Sequence, residues 1–200
     1  MTQRIIVGSL ASAVVLFFWG FFWHGILGVG EKSMKKLANE DQTLDALRGA
    51  APEPGMYGFP WMDDNANESA QKAFDEKYQR GPSGLIVIAP TGEPAMSSRE
   101  LIVQFVVNLI ASFIAAVLLS KALLNLSSFP LKVGFVALIG LYATLATNVP
   151  YWIWYRYPTA FTVSEMADKV IGACLAGIVL ALIVKTPTAR GQPVAAGAVT

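Results

Sequence analysis

Residues 5–27 read IIVGSLASAVVLFFWGFFWHGIL, 23 residues without a formal charge. At about 1.5 Å of rise per residue, a helix of this length exceeds the ~30 Å hydrocarbon core of a bilayer. Arg4 precedes the run, so a cleaved secretory signal is the competing reading. The run is longer than the ~7–15 apolar residues of a signal core, and no small-x-small cleavage site follows. The segment therefore reads as an uncleaved signal anchor.

Three further runs share this character. Residues 101–124 are interrupted only by Gln104, Asn108, Ser112, Ser120 and Lys121, and residues 133–153 form a third run. The fourth has a short apolar centre at 170–184, and helical signals extend it back to Val163 and membrane-spanning length. These runs account for a composition that is 54% hydrophobic and 14% charged, against roughly 25% charged in soluble domains. That excess excludes an ordinary soluble domain, and also disorder, collagen or a coiled coil for the whole chain. A net charge of +1 gives no sign of nucleic-acid binding.

Two boundaries carry the same device. Ser97-Ser98-Arg99-Glu100 and Thr162-Val163-Ser164-Glu165 both read as capping boxes, at the starts of the second and fourth helices. In each, a hydroxyl accepts from an orphan amide and the glutamate reaches back to the cap. Pro130 before the third helix and Pro187 after the fourth fit as punctuation.

Four helices place both termini on one side. The short loops and ends then carry Arg4, Lys121, Lys132, Lys185 and Arg190 on the terminal side, which favours N-in and C-in. Lys32, Lys35 and Lys36 argue the other way. Trp19 and Trp23, and Trp152 and Trp154 with Tyr151, Tyr155 and Tyr157, form aromatic clusters at two helix C-termini. Such rings collect at headgroup level, here on the outer face. The order of helix, aromatic end and capped helix occurs twice, as in a two-hairpin pseudo-repeat.

Residues 29–99 are too polar for a membrane, and their acidic residues outnumber their basic ones. Asn39-Glu40-Asp41 opens a helix that Arg48-Gly49 ends. Asn67 caps a second helix running to Gln79, with Ala70, Phe74 and Tyr78 on one stripe. Residues 56–59 and 85–89 read as two short strands. About 70 residues make a marginal core alone, so this cap is expected to lean on the membrane surface or a partner. Residues 186–200 are rich in Ala, Gly, Pro and Thr and read as a disordered tail.

One histidine and one cysteine exclude a Cys/His metal cluster and an intrachain disulfide. Neither a phosphate-binding glycine loop nor a hydrolase nucleophile motif occurs. No catalytic residue, cofactor or metal is therefore expected. Cys174 reads as a small packing residue. His24 reads as an interfacial imidazole, with a ligand or pH-sensing role as the sharper alternative.

Polar residues near the outer face form a candidate cluster: His24, Asn148, Arg156, Glu165, Asp168 and Lys169. Glu165 and Lys169 are an i, i+4 pair in the favourable order. The plain reading is a salt-bridge network at headgroup depth, and the sharper one is a ligand or ion vestibule. Gln104, Asn108 and Ser112 share a helical face that should turn to protein or water. Small residues mark close helix contact: Ala173, Gly177 and Ala181 with Gly172 and Ala176 on the fourth helix. Ser112, Ala116 and Ser120, and Gly8 with Ser12, do the same on the second and first.

The punctuation resembles a group of uncharacterised bacterial four-helix inner-membrane proteins. The resemblance is carried by Trp19 with His24, Pro54-Gly55-Met56-Tyr57, Gly81-Pro82-Ser83-Gly84 and the aromatic segment 152–158. Gly25 and Gly28 depart from it, standing where bulkier residues or proline are expected. The resemblance implies a bacterial inner membrane and no particular activity.

The expected architecture is an all-α membrane protein. A signal-anchor helix (1–28) is followed by a small mixed α+β extramembrane insertion (29–99), three further transmembrane helices (100–185) and a tail (186–200). The expected function is that of a non-enzymatic accessory or scaffolding subunit, partnered by the lipid bilayer and by other membrane subunits or itself. A small oligomeric transporter or channel is the alternative, and an enzyme acting on a lipid or periplasmic substrate the third reading.

Overall fold

The structure, a computed structural model, describes residues 1–90, 92, 94 and 96–185. The expected tail and Pro187 lie outside these residues. Among the described residues, four helices are long and apolar enough to cross a membrane. They comprise α1 (Thr2–Gly20) with its continuation, α4 (Ser98–Ala122), α5 (Phe129–Trp154) and α6 (Thr159–Ile183). Between α1 and α4 lie α2 (Glu40–Ala50), β1 (Gly55–Phe59), α3 (Glu68–Arg80) and β2 (Gly84–Ile88).

The first span is not one uniform helix. The α-helix stops at Gly20, and Phe21–Leu27 continues as a π-helix. Gly28, at φ +54°, ends it in the left-handed region, where a side chain would be strained. A single 3-10 turn, Glu31–Ser33, follows and touches α6.

The first capping box is formed. The Ser97 amide donates to Glu100 at 2.8 Å, and the Ser97 hydroxyl also reaches that carboxylate. The second is not. Pro158, with ψ 135°, bars the helix from starting earlier, and α6 begins at the next residue. Thr162 is therefore inside the helix, its amide bonded to the Pro158 carbonyl at 2.9 Å. Glu165 is thus released from capping.

The four long helices pack side by side in the order α4, α1, α6, α5. Small residues decide which faces meet. A Cβ on Gly8 would lie 3.2 Å from Leu180, and one on Gly172 3.3 Å from Leu16 and 3.4 Å from Trp19. Ser12 Oγ donates to the Ala176 carbonyl at 3.3 Å. On the other side of α6, a Cβ on Gly140 would lie 2.3 Å from that of Ala173, and one on Gly177 3.0 Å from the Val133 carbonyl. Gly172 and Ala176 thus serve α1, while Ala173 and Gly177 serve α5. Phe17 meets Phe105 edge-on at 5.9 Å across α1 and α4.

The best-buried apolar cluster lies toward the short α4–α5 loop. Ala115, Ala116 and Leu119 of α4 and Leu123 just after it meet Val136 of α5, Ala176 and Leu180 of α6 and Val184 just after it there. Farther from that loop, α4 makes few contacts with α5 or α6.

In the cap, β1 and β2 pair antiparallel from Gly55 with Ile88 to Phe59 with Gly84. Asn67 Oδ1 accepts from the Ala70 amide at 2.9 Å and starts α3. Neither α2 nor α3 buries a residue. A cleft of about 310 Å³ lies between the cap and the end of α5, lined by Phe59, Trp61, Tyr78, Trp154 and Arg156 among others.

The α5–α6 contact gives a direct prediction. Gly140→Ala should destabilise the protein by about 1–3 kcal/mol through overpacking. Gly134→Ala, whose Cβ would meet nothing within 4 Å, should leave stability unchanged or raise it by up to about 1 kcal/mol. Thermal unfolding of both variants in the same detergent checks this.

Candidate functional site

The π-helical turn sets the first component of the site. Hydrogen bonds in such a turn run from i to i+5, which brings residues five apart toward one side. Trp19 and His24 stand at that spacing, and both reach Asp168 of α6. A regular α-helix would turn these two side chains well away from each other.

Asp168 is the deepest charge in the group, its side chain only 5% exposed. A buried carboxylate needs hydrogen-bonding partners to compensate for lost water. Trp19 Nε1 donates to Oδ1 at 2.8 Å. Lys169 Nζ donates to Oδ2 at 2.5 Å, and His24 Nε2 lies 3.5 Å from the same oxygen. Each oxygen therefore has a different set of neighbours. Glu165 completes the α6 side, 4.0 Å from Lys169 Nζ.

The second side of the imidazole is also held. His24 Nδ1 lies 3.3 Å from Glu31 Oε1, within hydrogen-bond reach. Glu31 is delivered by the chain reversal at Gly28 and the short turn after it. Gly30 in that turn packs directly on α6. A Cβ there would lie 3.2 Å from Glu165 Oε1 and 3.8 Å from Ser164 Oγ. The close approach of the turn to the Glu165 carboxylate therefore favours glycine.

Three buried polar atoms at this end of the bundle have no partner among the described residues: Trp23 Nε1, Thr162 Oγ1 and Ser164 Oγ. Thr162 and Ser164 are each 6% exposed. Native structures rarely leave such groups unpaired without a reason.

Of the six residues in the expected outer cluster, His24, Glu165, Asp168 and Lys169 come together. Asn148 instead serves its own helix, accepting from Thr144 and Thr147 at 3.0 Å each. Arg156, at φ +58°, turns to the cleft beneath the cap. Trp19, Glu31, Gly30 and Ser164 belong to the site and were not in the sequence reading of it. The five-residue spacing of Trp19 and His24 was a visible signal for the first. The contacts of Glu31 and Gly30 depend on a reversal that no local pattern announces.

The intramembrane polar face divides. Gln104 donates to Asn108 Oδ1 at 3.0 Å and is exposed, while Ser112 is buried with its hydroxyl unpaired. Asn108 between them is half-buried.

Comparison of the chain with protein-family models, with curated proteins and with solved structures gave no match.

The Trp19–Asp168 contact yields a second prediction. Trp19→Phe removes a hydrogen bond to a buried charge and should cost about 1.5–3 kcal/mol. Chemical denaturation in detergent against the unsubstituted protein measures it.

Proposed function

We propose that the chain is a non-enzymatic accessory or scaffolding subunit of a membrane complex and docks through its cap. The cap is set in the periplasm of a bacterial inner membrane, with both termini in the cytoplasm.

The observation that carries this reading is the incompleteness of the cap. It has two helices without a buried residue and a ribbon whose two strands pair, among the described residues, only with each other. Outside the spans, Trp61 is 76% exposed, Val87 68% and Met56 65%. Met56 and Val87 are cross-strand partners, and large apolar side chains left exposed in this way mark a site for another protein. Unpaired strand edges offer backbone groups to the same partner. The small-residue stripes of α6 are already used within the chain, against α1 and α5.

The α4 face points the same way. A glutamine amide on the outside of a spanning helix is costly in hydrocarbon. A partner helix over Gln104 would supply the donors and acceptors that lipid lacks. The channel reading needs one aqueous path along Gln104, Asn108 and Ser112. Ala115, Ala116 and Leu119 are buried immediately beyond Ser112, which argues against such a path within one chain.

A photo-reactive residue at Trp61 or Val87 should give one discrete adduct larger than the 21.5 kDa chain in native membranes. The same complex should survive a native gel in mild detergent and be lost in a Trp61→Ser, Val87→Ser double variant. Migration of the intact protein as a lone chain under several mild conditions would contradict the proposal.

A further inference from the structure

We propose that His24, Glu165 and Asp168 form a binding site for one divalent transition-metal ion of the Zn²⁺ class, with Lys169 as its tethered competitor. The three residues each offer one ligand atom, and all three atoms lie within 4.8 Å of one another. Donors around a tetrahedral ion at bond lengths of ~2.1 Å stand roughly 3.4 Å apart. His24 Nε2 and Asp168 Oδ2 already stand at 3.5 Å. Only Glu165 must draw in.

The surroundings match what metal ligands require. A ligating histidine gives its other ring nitrogen to a carboxylate, which fixes the ring and raises its basicity. Glu31 stands at that position, 3.3 Å from Nδ1. A ligating carboxylate is itself hydrogen-bonded through its free oxygen. Trp19 does this at Asp168 Oδ1 and leaves Oδ2 for the ion. These two contacts hold the donors without using up their metal-facing atoms.

An independent observation concerns Ser164. Its hydroxyl is buried without a partner, and it faces the same point at Gly30 as the Glu165 carboxylate. A fourth ligand, or a water on the ion, would satisfy it. Charge argues likewise. Glu31, Glu165 and Asp168 bring three carboxylates to a cluster with one ammonium, Lys169, and this excess of negative charge favours a cation. One nitrogen and two oxygens suit Zn²⁺ or Co²⁺ better than Ca²⁺ and Mg²⁺, which prefer oxygen alone.

Lys169 bonds the oxygen that the ion would take, and its side chain is 54% exposed. It can leave for water when a metal arrives. The ammonium thus occupies the site in the metal-free state and weakens metal binding.

The test uses the full chain in lipid nanodiscs, stripped with chelator and titrated with Co²⁺. The ligand-field absorption of Co²⁺ should saturate at one ion per chain and be displaced by Zn²⁺. His24→Ala and Glu165→Gln should each abolish the band. Glu31→Gln should weaken binding about tenfold, as loss of a partner behind a ligand does. Lys169→Gln should tighten it, which a purely structural ion pair would not produce. Thermal unfolding of each variant confirms that it is folded. No Co²⁺ spectrum from the folded, unsubstituted protein would overturn the proposal and leave a salt-bridge network only. Binding that is unchanged in both His24→Ala and Glu165→Gln would overturn it equally.

Discussion

The close approach of α6 to both α1 and α5 is the constraint on which the rest of the structure depends. Helices in a bilayer gain little from hydrophobic sequestration, because lipid tails are as apolar as leucine. What remains is packing and polar contact at short range. Gly172 and Ala176 let α1 come close enough for Ser12 to bond a backbone carbonyl of α6. Ala173, Gly177 and Gly140 do the same for α5. With α6 fixed between its neighbours, Asp168 falls under Trp19 and His24. The polar site is a consequence of that packing, and its buried charge in turn holds the cap ends of α1 and α6 together.

The two unlike regions of the chain meet at this end of the bundle. The π turn, the left-handed Gly28 and the Glu31–Ser33 turn carry the chain from α1 back onto α6. Only then does the polar insertion begin. The cap also faces the bundle across the aromatic cleft at the end of α5, where Arg156 lies. One junction is charged and compact, and the other is aromatic and open. A metal site at the first and a docking surface on the cap are compatible, since they use different residues.

Much of the fold was legible because its signals are local. Apolar length marks the spans, and Asn67 and Ser97 mark helix starts through bonds within three residues. The short strands follow from apolar, β-branched residues bounded by glycine and proline. The Thr162 box failed because the pattern S/T-x-x-E does not carry its register, and Pro158 had already fixed where α6 starts. The candidate site was half legible. Glu165, Asp168 and Lys169 share one helix, so periodicity places them together. That His24 joins them across more than a hundred residues is a matter of topology. Counting histidines and cysteines excluded only a Cys/His cluster and left a mixed histidine–carboxylate set open.

The central claim is that α1 and α6 are direct neighbours through Ser12 and Ala176. Cysteines at these two positions, in a Cys174→Ala background, test it by cross-linking in native membranes with a short bifunctional thiol reagent. The account predicts efficient intrachain bridging of Ser12→Cys with Ala176→Cys, and none for cysteines at the outward-facing Leu10 and Leu182. Bridging of the outward pair, or none at the inner pair in folded protein, would contradict it.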